Sequence, residues 1–138
     1  MQFKVKDWMI DLVVFVDPDT LVTDALATMR RRYISSVLVS KSAASPHFGI
    51  LTSTDISDKI VAAGRNPATV TVAEVMNSPL MTVSPDMSIQ ECAKIMSENR
   101  FHHLSVADKS GNLVGMISAT DFLVVAEAMG RSGERSLR

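Results

Sequence analysis

The sequence predicts an α+β fold made of one unit written twice. Three observations carry that expectation: a self-match at a spacing of 67 residues, an amphipathic helix at the same place in each copy, and short apolar segments closed by turn residues. The self-match aligns Val5 with Val72, Met9 with Met76, Val16 with Val83, Met29 with Met96 and Val39 with Val106. After a one-residue gap between Lys41 and Phe48 the spacing becomes 66, pairing Gly49 with Gly115 and Thr54-Asp55 with Thr120-Asp121. Copy one is expected over about residues 5–64, a joint over 65–70 and copy two over about 71–130, with 131–138 a loose polar tail.

The elements follow in order. Short helices open the copies at Val5–Met9 and Val72–Met76, the second behind a Thr71/Glu74 capping box. Val22, Ala25, Leu26 and Met29 fall at i, i+3, i+4 and i+7. Ile89, Cys92, Ala93 and Met96 repeat that spacing, so each set lines one face of a helix. Thr20 is the expected cap of the first of these helices, and Ser88 with Glu91 the expected capping box of the second. Apolar strands come next at Val37–Val39 and Leu104–Val106, then strands at Phe48–Leu51 and Leu113–Ile117, the last behind a turn from Asp108 to Asn112. A closing helix starts near Asp55 or Asp121 and stops at Gly64 or Gly130, residues suited to the left-handed position after a helix. Each copy therefore reads β-α-β-β-α. A three-stranded sheet with one apolar face is marginal alone, so two pseudo-twofold-related motifs packed through their three-stranded sheets are expected.

Composition narrows the function classes. The 138 residues are 46% hydrophobic and 21% charged, values of a globular domain. A net charge of −1 gives no electrostatic case for nucleic acid. The Arg30-Arg31-Arg32 run ends a helix, where cations complement the dipole. Cys92 is the one cysteine, and with no signal-like start it points to a reducing, cytoplasmic setting. No apolar stretch is long enough to cross a membrane. There is no Walker loop, no G-x-S-x-G, no H-E-x-x-H and no nucleophile–base pair, so no enzymatic activity is expected. Cys92 lies on an apolar helix face and reads as an inert thiol. His102 and His103, adjacent on a strand, point to opposite faces and make no metal pair. Trp8 suits either a core cover or a subunit interface.

One polar feature repeats. Gly49-Ile-Leu-Thr52-Ser-Thr54-Asp55 and Gly115-Met-Ile-Ser118-Ala-Thr120-Asp121 share the pattern G-h-h-[TS]-x-T-D, each where a strand ends and a helix begins. Free N–H groups at a helix start suit a phosphate, and an Asp in the first turn can accept from a vicinal diol such as that of ribose. Plain helix capping uses the same residue types.

The chain resembles the CBS domain family, as a tandem pair or Bateman module, over residues 5–130. The resemblance rests on Val-x-x-x-Met opening each copy, Pro-Asp before the first helix, and h-x-x-Met at that helix's end (Leu26–Met29, Ala93–Met96). It rests also on Phe101-His-His-Leu-Ser-Val106, similar to the family's I-x-x-L-P-V strand, and on the repeated Thr-Asp corner. It implies clefts between the two motifs that hold an adenine nucleoside or nucleotide, with AMP, ADP, ATP or S-adenosylmethionine as candidates and no required cofactor. Asp55 and Asp121 would bind ribose; Thr52 and Ser118 would bind phosphate, with Thr54 and Thr120 nearby. Ser35 and Ser36 in copy one and His102 and His103 in copy two would approach the phosphates. Val13, Val14, Leu80 and Met81 would flank adenine. Leu38 and Ser105 replace the family's proline, and Thr54 and Thr120 stand where relatives often carry a base. Imidazoles in copy two alone imply that the Thr52/Asp55 cleft facing them is the better phosphate site. The resemblance further implies a homodimer through helices 55–63 and 122–129, with output through the dimer or a separate effector protein. The alternative function is a ligand-independent structural module whose clefts stay empty.

Overall fold

The computed structural model describes residues 3–11 and 13–136, the side chains of 132–136 excepted. The elements are α1 (Val5–Trp8), β1 (Phe15–Val16), α2 (Val22–Arg32), β2 (Ser36–Val39), β3 (Gly49–Thr52), α3 (Ser53–Asp55), a π-helical continuation (Ile56–Val61) and a 3₁₀ turn (Pro67–Thr69). The second half adds α4 (Val72–Val75), β4 (Thr82–Val83), α5 (Ile89–Asn99), β5 (His103–Ala107), β6 (Leu113–Ser118) and α6 (Asp121–Ser136). This is a mixed α+β fold with two three-stranded sheets, ordered β1-β2-β3 and β4-β5-β6. In each, the first pair is parallel and the second antiparallel, as a β-α-β-β unit requires.

The chain forms two compact units. One spans Val14–Leu80; the other joins the residues before Val14 to those after Leu80. Apolar helix faces and strand faces fill each core as their periodicity predicts. In the first unit Val22, Ala25 and Met29 of α2 pack with Val37, Val39, Leu51 and Ile60. In the second Ile89, Cys92 and Met96 of α5 pack with Leu104, Val106, Ile117 and Val125.

The leading helices are exchanged relative to the sequence copies. Val5 of α1 is buried in the core that holds copy two, and Val72 and Val75 of α4 are buried in the core that holds copy one. Backbone bonds fix the exchange. Val5 N–H donates to Met87 O at 2.9 Å and Lys6 N–H to Pro85 O at 2.9 Å. Val72 N–H donates to Thr20 O at 2.8 Å and Ala73 N–H to Pro18 O at 2.9 Å, the matching bonds of the other unit. Sequence copies and compact units therefore divide the chain differently. Trp8 packs on the copy-two core, edge-on to Phe3 with ring centres 5.4 Å apart.

Several ends differ from expectation. Thr20 does not cap α2; the cap position is Leu21, and Val22 N–H donates instead to Val70 O at 2.9 Å. The paired backbone takes the donor that a hydroxyl would have taken. Thr71 and Glu74 form the expected box, whereas at Ser88 and Glu91 one half of it is seen among the described residues, Ser88 Oγ accepting from Glu91 N–H at 3.1 Å. Gly64 closes copy one at φ +67°, with Arg65 N–H donating to Ile60 O at 2.9 Å. Gly130 closes nothing. Helix α6 runs through it to Ser136, and Arg131 pairs with Glu127 one turn back at 2.6 Å, across the glycine. Residues 131–136 are thus helical rather than a loose tail, and 137–138 lie outside the described residues. Among the described residues no helix is long and apolar enough to cross a membrane.

Candidate functional site

Each sheet delivers its last strand directly into a helix, and the repeated polar residues sit on that corner. Thr52 ends β3; its N–H and hydroxyl donate to Asp55 Oδ2 at 2.9 and 3.0 Å, and Asp55 N–H returns a bond to Thr52 Oγ1 at 3.3 Å. Ser118 ends β6 and does the same with Asp121 Oδ2, at 2.7 Å from its N–H and 3.0 Å from its hydroxyl. Thr120 adds a hydroxyl contact to Ser118 at 2.8 Å, while Thr54 is exposed. In both copies, one oxygen of the aspartate is therefore committed to capping.

The glycine that opens the pattern serves the approach of another segment. A Cβ at Gly49 would sit 2.5 Å from Met76 Sδ and 3.2 Å from Asn77 O. A Cβ at Gly115 would sit 2.7 Å from Met9 Sδ and 2.9 Å from Ile10 O. The segment after each leading helix crosses here, bridging Asn77 to Ile50 and Ile10 to Met116. Glycine is needed because backbone meets backbone.

The second aspartate oxygen separates the corners. Asp55 Oδ1 accepts from Asn77 Nδ2 at 2.9 Å and faces Lys59 Nζ at 3.2 Å, and Lys59 Nζ also donates to Val75 O at 2.9 Å. Asp55 is 6% exposed. Asp121 is half-buried, and the self-match puts Val125 and Ile10 where copy one has Lys59 and Asn77. Among the described residues Asp121 Oδ1 has no hydrogen-bonding or charged partner.

Other expected site residues fall beside the corner of their own copy. Ser53 N–H donates to Ser35 O at 2.9 Å, and Ala119 N–H donates to His102 O at 2.9 Å. Ser36 is the cross-strand partner of Thr52, and His103 that of Ser118. Directly opposed residues put their side chains on one face, so each hydroxyl has a polar neighbour: a serine in copy one, an imidazole in copy two. Val14 belongs elsewhere in its unit: its carbonyl accepts from Leu38 N–H at 2.9 Å, and it lines a cavity of about 420 Å³ with Phe15, Thr28, Arg31 and Arg32. No corner residue lines that cavity. Val13 and Leu80 are half-buried, and Met81 is exposed ahead of β4. Lys59 and Asn77 are the residues that sequence reasoning missed. The i,i+4 spacing of Asp55 and Lys59 was the available signal.

Burial pushes the Cys92 thiol up to about 11, which leaves it protonated and unreactive at neutral pH. Among the described residues no group of three His, Cys, Asp or Glu side chains could hold a metal ion.

A family model described as CBS domain matches residues 5–62 and 72–127. An uncharacterized protein of Methanopyrus kandleri is 31% identical over 113 residues, 82% of this chain and 57% of that protein. The chain thus spans little more than half of that relative. A CBS domain-containing protein of Bacillus subtilis is 30% identical over 121 residues, 88% of this chain and 84% of its own length. Among solved structures, a hexameric CBS-CP12 protein from bloom-forming cyanobacteria matches with TM-score 0.82 and 28% identity, covering 88% of this chain and 69% of that one. A CBS domain pair in complex with 5′-methylthioadenosine and S-adenosyl-L-methionine matches in fold, with TM-score 0.80 at 20% identity over 94% and 99% of the two chains.

Proposed function

Because this chain belongs to the CBS domain family, with one motif in each sequence copy, we propose that it is a regulatory module binding an adenosine-containing ligand through its strand-to-helix corners. AMP, ADP, ATP and S-adenosylmethionine are the candidates. The observation that carries the reading is the Ser118–Asp121 corner. There a capped aspartate keeps its second oxygen open at the start of a helix of 16 residues. An open carboxylate oxygen accepts from a ribose diol. The adjacent helix start offers donors to an anionic group, and His103 lies across the strands from Ser118. The solved pair holding two adenosine compounds supports this ligand class. No catalytic step, cofactor or membrane enters the reading.

The signal leaves through assembly. Leu123, Val124 and Met129 of α6 are exposed, as is Val61 at the end of the π-helical stretch, and these faces form a homodimer contact or dock a separate effector. The same faces motivate the second reading, a structural assembly module that takes no ligand.

A thermal-shift series with AMP, ADP, ATP, NAD and S-adenosylmethionine separates the two. A bound ligand at about one hundred times its Kd stabilises the fold by about 2.7 kcal/mol, a shift of several degrees. No shift with any of the five, together with ligand-independent self-association by light scattering, replaces the sensor with the assembly module.

A further inference from the structure

The two corners differ in a way the repeated motif does not encode. An ionised carboxylate offers about four lone-pair sites. At Asp55 both oxygens are engaged: Thr52 N–H and hydroxyl donate to Oδ2, Asn77 Nδ2 donates to Oδ1, and Lys59 Nζ forms an ion pair with Oδ1. The side chain is 8% exposed, and Lys59 is itself tied to Val75 O. A diol reaching Asp55 must displace a charged donor and an amide donor together, leaving both to find new partners. At Asp121 only Oδ2 is engaged among the described residues, and the side chains at the matching positions, Val125 and Ile10, carry no donor.

We infer that Lys59 and Asn77 lock Asp55 as a structural carboxylate, so that the chain takes one ribose-bearing ligand, through Asp121. This assignment rests on the nucleotide reading above. It reverses the ranking implied by the imidazoles, which favoured the Thr52/Asp55 corner for phosphate. Lys59 and Asn77 then determine how many ligands the module binds, although neither touches one. Replacing them by their copy-two counterparts opens the second corner.

Isothermal titration with AMP and with S-adenosylmethionine tests this on the full chain. Wild type is expected to bind one ligand per chain. Asp121→Asn weakens binding about tenfold or more, the loss expected for hydrogen bonds to a charged acceptor. Asp55→Asn keeps the stoichiometry and lowers the melting temperature instead. The double variant Lys59→Val/Asn77→Ile, which leaves both aspartates in place, gains a second ligand. Two equivalent sites in wild type, or binding lost in Asp55→Asn and kept in Asp121→Asn, overturns the lock and leaves the nucleotide reading standing. An unchanged stoichiometry in the double variant also overturns it. No heat with either compound in wild type overturns the nucleotide reading and the assignment with it.

Discussion

The corner at Thr52–Asp55 and the corner at Ser118–Asp121 have the same pattern, the same pair of bonds into one aspartate oxygen and the same preceding glycine. One aspartate nevertheless takes three hydrogen bonds and an ion pair and is buried; the other takes two hydrogen bonds among the described residues and is half-exposed. The cause lies outside the pattern. Position 59 follows Asp55 by one helical turn and carries an amine where copy two has Val125. Asn77 arrives on the segment after α4, where copy two has Ile10. In a duplicated fold the motif conserves the cap, and the residues packed around it decide whether the carboxylate is structure or site. The helices beyond the corners diverge as well: copy one continues as a π-helical stretch that ends at Val61, shortly before the left-handed Gly64, whereas α6 runs on to Ser136.

The largest expected effect concerns the exchanged helices. Val5 and Val72 are fully buried, so Val5→Ala and Val72→Ala should each cost about 2 to 3 kcal/mol in lost burial and residual cavity. Their local signatures should cross over. Native-state hydrogen exchange should show Val5→Ala weakening protection in β4–β6, and Val72→Ala weakening it in β1–β3. Each variant loosening the strands of its own sequence copy would refute the exchange.

That exchange marks the boundary of what the sequence reveals. Periodicity exposes the buried faces of α2 and α5 because an apolar residue every third or fourth position has no other use on a helix. The self-match exposes the repeat. It records which residues correspond and not which core they enter, so the exchange of α1 and α4 is invisible to it. The left-handed closures at Tyr33 and Arg100 were equally hidden, since neither is glycine or asparagine. Of the site, the Thr-Asp corners were legible and their inequality was not: Asn77 is 22 residues from Asp55, and no spacing rule links them.

The glycines sharpen the comparison next. An alanine at Gly115 meets a backbone carbonyl at 2.9 Å, which has little freedom to move. At Gly49 the nearest obstacle is the flexible Met76 side chain, with backbone at 3.2 Å. Gly115→Ala should therefore cost about 2 kcal/mol and Gly49→Ala about 1 kcal/mol by urea denaturation. Equal costs would mean that both crossings relax alike.

Ser105 should respond with the opposite sign. It occupies the place of Leu38, is 1% exposed, and its hydroxyl has no partner among the described residues. A buried, unpaired hydroxyl is a desolvation cost without return, so Ser105→Ala should raise stability by about 1 kcal/mol. A loss of stability in that variant would show that the hydroxyl is bonded in solution.

The smallest effect is acid sensitivity, and it too divides between the units. Glu74, in the α4 cap, is held below its ordinary 4.5 first by the backbone N–H of Thr71, then by the Thr71 hydroxyl and Arg65. Asp108, in the turn before β6, is held below its ordinary 3.8 first by the backbone N–H of Asn112, with further bonds from the Asn112 side chain, Ser110 and Gly111. A carboxyl with a lowered folded value binds fewer protons folded than unfolded. Its contribution is present above the ordinary value and disappears as pH falls through the folded one. Urea midpoints should hold above about pH 5 and fall progressively below it, Glu74 acting before Asp108. Both carboxyls are exposed, so each contribution is modest. Glu74→Gln should flatten the upper part of that fall and Asp108→Asn the lower part. An acid profile unchanged by both would mean that neither carboxyl carries the sensitivity.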